Sequence, residues 1–393
     1  MSAEKTPEEK IYDVVIIGAG IQGAGVAQAA ATDGYKTLVI EKFSQAGLGT
    51  SCKSSKLIHG GLRYLESGQF KLVKECLRER KTLLKNAPNL VKLIPFYIPV
   101  YAHSLRPAWL IFTGLCIYFL FSLKPFSIVK KTAWSSLDGL NLKNLKIVFK
   151  YYDAQTDDKK LTQAVINSAE KLSCEIIYDA DFLSSHTQNK THLLSYIKNK
   201  KTHNIKCQCI VNCTGPWVNE TQTKISPTLS TPAVDLIAGT HIIVDKELEQ
   251  GIYYIEAADK RAVFVMPWKN QQTLIGTTEK KYTGDINSIA PSEEEKTYLL
   301  KTYNQYFKTQ LSQKNIVTAF AGLRVLPRSE NSAFNKSRES IIIKNTESPK
   351  LITLVGGKLT AYRASADEVL IEIKKAIKPS STTKPYSTKD IPL

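Results

Sequence analysis

The sequence predicts an α/β fold, α+β overall: a Rossmann-like nucleotide-binding domain built from discontinuous segments, plus a sheet-rich second domain. Three observations predict it. "VVIIGAGIQGAG" sets a G-x-G-x-x-G pattern between an apolar run and a run of small residues. Residues 232–280 alternate like an antiparallel sheet, in "GTHIIV", "AVFVMPW" and "QTLIGTT". "LITLVGGKLTAYRASADEVLIEI" then gives the order strand, glycine turn, helix once more.

Each element follows in order. Val14 to Ile17 is a β-branched run and reads as a strand; the small residues Ala24 to Ala31 read as a closely packing helix, with Gly34 near its end; Thr37 to Ile40 is a second strand. Within this β-α-β unit, Gly18 allows the tight turn, Gly20 lets backbone approach a pyrophosphate, and Gly23 lets the helix sit close to the strand. The helix N-terminus offers N–H donors and a positive dipole to phosphates. Glu41 ends the second strand, 18 residues after Gly23, where it can accept from ribose hydroxyls. An acid there disfavours a 2′-phosphate, so FAD or NAD is expected rather than NADP.

Residues 66–85 read as a helix with its charges on one face. "PAWLIFTGLCIYFLFSL" (107–123) carries no charge between Arg106 and Lys124 and is shorter than the roughly 20 apolar residues of a usual span, so a buried or interfacial helix is expected. Residues 153–172 read as a capped helix, "CEIIYDA" and "CQCIVNCTG" as strands, and 291–307 as a helix. The expected division is a polar tail over 1–10, a nucleotide domain from 11–90, 150–230 and 320–378, a substrate domain from 91–149 and 231–319, and a polar tail over 379–393.

The net charge is +17, with Lys scattered along the whole chain. Phosphorylated substrates, an anionic membrane and nucleic acid could each use it. No zinc-ligand spacing, recognition-helix pattern or aromatic-basic RNA motif is present, so no nucleic-acid partner is expected. Cys207, Cys209 and Cys213 alternate along a strand without matching ligands elsewhere, which reads as structural thiols in a reducing compartment and no metal. "MSAEKTPEEK" is polar and is no secretory signal.

Two later turns separate FAD from NAD. "NCTGPW" (212–217) ends a strand in a glycine turn, as in flavoproteins where a second loop meets the adenosine half of FAD. "VGGKLT" (355–360) is a strand-to-helix turn that could aim N–H groups at a reduced flavin. With "DVVIIGAGIQGAG", "TSCKSSKLIHGGLRYLESGQFKLV", "LIPFYIPVY", "LRPAW", "NCTGPWV", "GTHIIV", "DKRAVFVMPW", "LIGTTEKKYTGD", "AGLRVLP" and "VGGKLTAYR" in order over residues 11–363, the chain resembles the FAD-dependent glycerol-3-phosphate dehydrogenases of the D-amino-acid-oxidase-like superfamily. Two departures stand out: these 393 residues include no counterpart of the family's C-terminal helical domain, and "GLRVLP" has Val325 where a "GxRP" pattern is usual.

The resemblance implies oxidation of sn-glycerol 3-phosphate to dihydroxyacetone phosphate by hydride transfer to flavin N5, with electrons passed to membrane quinone. It also implies peripheral attachment at the cytoplasmic face of an anionic inner membrane, and leaves a homodimer open. Arg63, Arg324 and, on a looser match, Arg338 are phosphate candidates, because a guanidinium makes planar multidentate contacts; surface ion pairing is the alternative. His59 is the leading base for the C2 hydroxyl and His241 the second. Lys358 would steady the developing oxyanion or hold phosphate, and Tyr64 would hydrogen-bond the substrate or only pack. FAD contacts are expected from Thr50, Ser51, Ser54 and Ser55 in one loop, from Gly215 and Trp217, and from Gly357, Lys358, Leu359 and Thr360; Thr360 could instead cap its helix. Rival readings are a related flavin oxidase using oxygen or another anionic substrate, a non-catalytic flavoprotein, and an NAD-linked dehydrogenase.

Overall fold

The first sheet is built around the apolar strand Ile11–Ile17, which pairs in parallel with Thr37–Ile40 on one side and Lys201–Asn212 on the other. Strands buried on both faces need near-continuous apolar sequence, which "VVII" and "TLVI" supply. This computed structural model describes residues 10–188, 190–228, 230, 233–328, 340–344, 347–380 and 387–393. Among them the first sheet has nine strands; Glu175–Ile177 extends it beyond Thr37–Ile40, and Leu351–Gly356 runs parallel to Lys201–Asn212. Antiparallel strands Asp181–Gln188 and Thr191–Lys198 complete one side.

Helices Ile21–Thr32, Asp158–Lys171 and Tyr362–Ala376 cover one face of this sheet and share one apolar cluster with it. Ile21–Thr32 is buried nearly all round, so it carries small residues in place of an amphipathic stripe. A Cβ on Gly23 would lie 1.9 Å from Gly18 O, so only glycine permits this contact between helix and turn. The helix expected over 153–172 begins instead at Asp158: residues up to Thr156 belong to strand Leu145–Thr156, and the Asp157 side chain caps the helix by accepting from Lys160 N.

The second sheet has ten strands among the described residues. Its long members are Val91–Tyr101, Leu145–Thr156, Val234–Val244 and Ile316–Pro327, the last two antiparallel over their whole length. Leu57–Ile58 joins its edge. Strands Leu145–Thr156 and Ile316–Pro327 therefore run across the boundaries expected after residues 149 and 319, and Leu57–Ile58 joins this sheet from within the segment expected for the nucleotide domain.

The apolar run forms helix Ala108–Ser122, which is not a core helix. Leu115 and Tyr118 face inward, while Trp109 and Leu120 are each 68% exposed and Phe112 and Phe119 are also exposed. The buried alternative expected for this segment is thus replaced by a surface one. Among the described residues no helix is long and apolar enough to cross a membrane.

Candidate active site

An elongated cavity of about 320 Å³ runs between the two sheets, within the roughly 300–1,000 Å³ usual for ligand sites. One end is lined by Gly18, Gly20, Glu41, Lys42 and Trp217, and the other by Gly357, Lys358, Leu359, Thr360, His59 and Tyr64. A smaller cavity of about 80 Å³ adjoins it, closed by Tyr151, Tyr254 and Phe264. Ser55, His59, Tyr64 and Arg324 line both cavities, so these four side chains form the wall where two ligands would meet.

At the first end, Glu41 accepts from Ala19 N at 2.5 Å and from Phe43 N at 2.9 Å. Burial raises its pKa, and these backbone donors oppose that rise. The carboxylate thereby ties the second strand to the glycine turn. Lys42 sits 3.4 Å over the Trp217 ring, and Trp217 Nε1 donates to Asn287 Oδ1. Gly215 turns with a φ of 58°, and a Cβ there would meet no protein atom within 4 Å.

The loop over 50–55 lines the long cavity, and its hydroxyls have protein partners. Thr50 Oγ1 donates to Leu323 O, and Ser51 Oγ accepts from Ile21 N at 2.9 Å, capping the first helix from 30 residues away. Ser54 Oγ donates to Asp158 Oδ2 at 2.7 Å, and Lys56 Nζ lies 2.6 Å from Asp158 Oδ1 in a buried pair. Ser54 is thus taken up by the protein, and its hydroxyl anchors the loop to helix Asp158–Lys171.

His241, expected as the second base, does not itself line either cavity but reaches their shared wall through Ser55. Its strand is covered on both faces, so alternation along it does not lead to an open side. The ring is fully buried, stacks on Phe320 at 5.0 Å and places Nε2 3.0 Å from Ser55 Oγ. Burial, with Arg324 and Lys56 nearby, lowers its pKa well below the usual 6.5 and keeps the imidazole neutral. Thr360 caps no helix: its hydroxyl accepts from His59 N at 3.2 Å. Arg338 lies outside the described residues.

Lys358 Nζ stands 3.6 Å over the Tyr64 ring and 3.7 Å from Cys76 Sγ. Burial pushes the Cys76 thiol up, opposed by the Lys358 ammonium, so it stays protonated near neutrality. The small cavity gathers Arg63, Arg261 and Arg324 against a single acid, Glu279. Glu279 Oε1 accepts from Arg324 Nη1 at 3.2 Å, and Glu279 O accepts from Arg261 Nη1. Sequence reasoning missed Arg261, Thr277 and Glu279, although "DKRAVFVMPW" and "LIGTTEKKYTGD" contain them.

A family model described as FAD dependent oxidoreductase matches residues 13–363. The chain belongs to this family. The oxidoreductase is 35% identical over 383 residues to a glycerol-3-phosphate dehydrogenase of Pseudomonas aeruginosa, covering 95% of this chain and 74% of that one. It is 33% identical to a D-erythritol 1-phosphate dehydrogenase of Brucella abortus, covering 93% and 74%. Among solved structures, the glycerol-3-phosphate dehydrogenase of Bacillus halodurans complexed with FAD superposes with a TM-score of 0.75 at 25% identity, covering 95% of this chain and 67% of that one.

FAD is the cofactor of this family, and the long cavity fits it. The glycine turn and the start of helix Ile21–Thr32 stand at one end as a phosphate cradle. On the first turn of that helix Gln22 Oε1 is buried with no partner among the described residues, an acceptor that a polar ligand in the cavity would satisfy. The glycine-lined walls leave backbone open to a flat ligand.

Proposed function

We propose that this oxidoreductase converts sn-glycerol 3-phosphate to dihydroxyacetone phosphate. The observation that carries the reading is the shared wall of Ser55, His59, Tyr64 and Arg324, with three arginines gathered on its far side. A phosphate in the small cavity would meet Arg63, Arg261 and Arg324, whose guanidinium groups suit its oxygens. Glu279 keeps Arg324 pointed across the cavity in the meantime. The carbinol carbon would then lie at the shared wall, facing the long cavity.

FAD supplies the acceptor for the hydride leaving C2. The protein handles the proton and the charge. His59, in the wall, is the base for the C2 hydroxyl. The Lys358 ammonium, held over Tyr64, steadies negative charge as the hydroxyl ionises. Tyr151, Tyr254 and Phe264 exclude water from the small cavity. Thr50, Ser51, Ser55, Glu41, Gly215, Trp217, Gly357, Leu359 and Thr360 surround the cofactor, and the nine-stranded sheet with its helices forms the FAD domain beside a ten-stranded substrate domain.

The electrons leave to a membrane quinone. The protein attaches peripherally, at the cytoplasmic face of an anionic inner membrane, through helix Ala108–Ser122. Support for this comes from the exposed Trp109, Phe112 and Leu120 and from the exposed Lys124, Lys130 and Lys131 beside them.

An anaerobic titration with sn-glycerol 3-phosphate tests the substrate. Loss of the oxidised-flavin absorbance band is expected, with glycerol giving none. D-erythritol 1-phosphate belongs in the same series; the tightness of the small cavity favours the shorter chain. A flavin that stays oxidised with sn-glycerol 3-phosphate overturns the assignment.

A further inference from the structure

Tyr118 stands on the inner face of helix Ala108–Ser122, is 2% exposed, and lines neither cavity. Its hydroxyl accepts from Gly60 N at 3.0 Å and donates to Asp153 Oδ2 at 2.5 Å. The direction is forced. A peptide N–H only donates, so the tyrosine oxygen must accept there and turn its own proton to the carboxylate. Asp153 is in turn held by Arg80, whose Nη1 lies 2.6 Å from Oδ1 in a pair with side chains 4% and 1% exposed.

Gly60 follows His59 directly, and His59 N donates to Thr360 Oγ1. Two consecutive peptide N–H groups at the shared wall are therefore held by two hydroxyls from distant parts of the chain. The loop has no room to slide toward the helix: a Cβ on Gly60 would lie 2.7 Å from both Tyr118 Oη and Leu77. This chain of contacts is polar, buried and directional, so it specifies one loop position in a way apolar packing would not.

We propose that Tyr118 is a positioning residue for the reaction: backed by Asp153 and Arg80, it fixes the Gly60 peptide and so the place of His59 between the two cavities. This rests on the reading of that wall as the reaction site. Small misplacements at a reacting centre lower the rate of the chemical step while leaving binding contacts largely in place.

The test uses the FAD-loaded protein in anaerobic stopped-flow reduction by sn-glycerol 3-phosphate. Tyr118→Phe removes the oxygen and keeps the ring. Leu115→Ala, on the same helix and 1% exposed in the same apolar cluster, removes packing without touching the polar chain. Tyr118→Phe is expected to lower the limiting reduction rate roughly tenfold or more, with apparent substrate affinity within about twofold and flavin content unchanged. Leu115→Ala is expected to lower the melting temperature and keep the limiting rate. A parental rate in Tyr118→Phe, or an equal slowing in Leu115→Ala, overturns the proposal. A parent protein whose flavin stays oxidised overturns the substrate reading and takes this proposal with it; a parent that is reduced normally beside an unaffected variant overturns the proposal alone. If Tyr118→Phe does not load flavin, Asp153→Asn replaces it: the hydroxyl stays but loses its charged acceptor. A loss of about threefold or more at unchanged affinity is then expected, and a parental rate overturns the proposal.

Discussion

Arg261 shows what a single residue contributes here. It lies in strand Ala262–Trp268's approach, donates to Glu279 O, and turns the small cavity from a pair of arginines into a trio. A charge-assisted hydrogen bond to a phosphate is worth about 1.5–3 kcal/mol. Arg261→Ala should therefore raise KM for sn-glycerol 3-phosphate by roughly 10- to 100-fold, with kcat falling less and flavin content unchanged. Steady-state kinetics with an artificial acceptor check this; an unchanged KM would remove Arg261 from the phosphate site. The residue was not legible in the sequence because its partners come from register. Glu279 meets it across the hairpin of Ala262–Trp268 and Gln272–Gly276, and Arg324 joins only through the pairing of Ile316–Pro327 with Val234–Val244, whereas Gly18, Gly20, Gly23 and Glu41 announce themselves within one β-α-β unit. His241 shows the converse limit of residue type. Its residue type suggests a base, but only the fold reveals that Phe320 and Ser55 enclose it.

At the scale of an element, helix Ala108–Ser122 was legible as a helix but not in its surroundings. Composition alone cannot say whether an uncharged segment of 15 residues will be covered. Under the proposed peripheral attachment its outward side chains would meet the membrane, and the prediction is quantitative. Burying one large apolar side chain is worth about 1.5–3 kcal/mol, and each nearby lysine about 1 kcal/mol at an anionic surface. A Trp109→Ser, Leu120→Ser double variant should thus lose at least about 100-fold in affinity for phosphatidylserine-containing vesicles in a sedimentation assay. Flavin reduction in solution should be unaffected. Equal vesicle binding by the variant would move the docking site elsewhere. The strand boundaries carried a similar lesson: Leu145–Thr156 continues past the expected domain edge because pairing with Val91–Tyr101 holds it extended.

At the scale of the molecule, the long cavity is lined by residues from Ile17 to Thr360 and by both sheets. A ligand there touches segments far apart in the chain, which are also tied by Ser51 to Ile21, by Thr50 to Leu323, by Thr360 to His59 and by the Lys56–Asp158 pair. The cofactor is then a thermodynamic component of the fold as well as a reagent. By mass action, a ligand bound only by the native state adds about 2.7 kcal/mol of stability at a hundredfold excess over its dissociation constant. The melting temperature should therefore climb with the logarithm of added FAD, and more weakly with FMN, which lacks the half that would lie against Glu41 and Trp217. Differential scanning fluorimetry across a flavin series would read this directly. Equal shifts from both flavins would show that the adenosine end contributes no binding energy. The amount of folded protein in a cell would in that case track its flavin supply, so that cofactor availability sets how much enzyme exists as well as how fast each copy turns over.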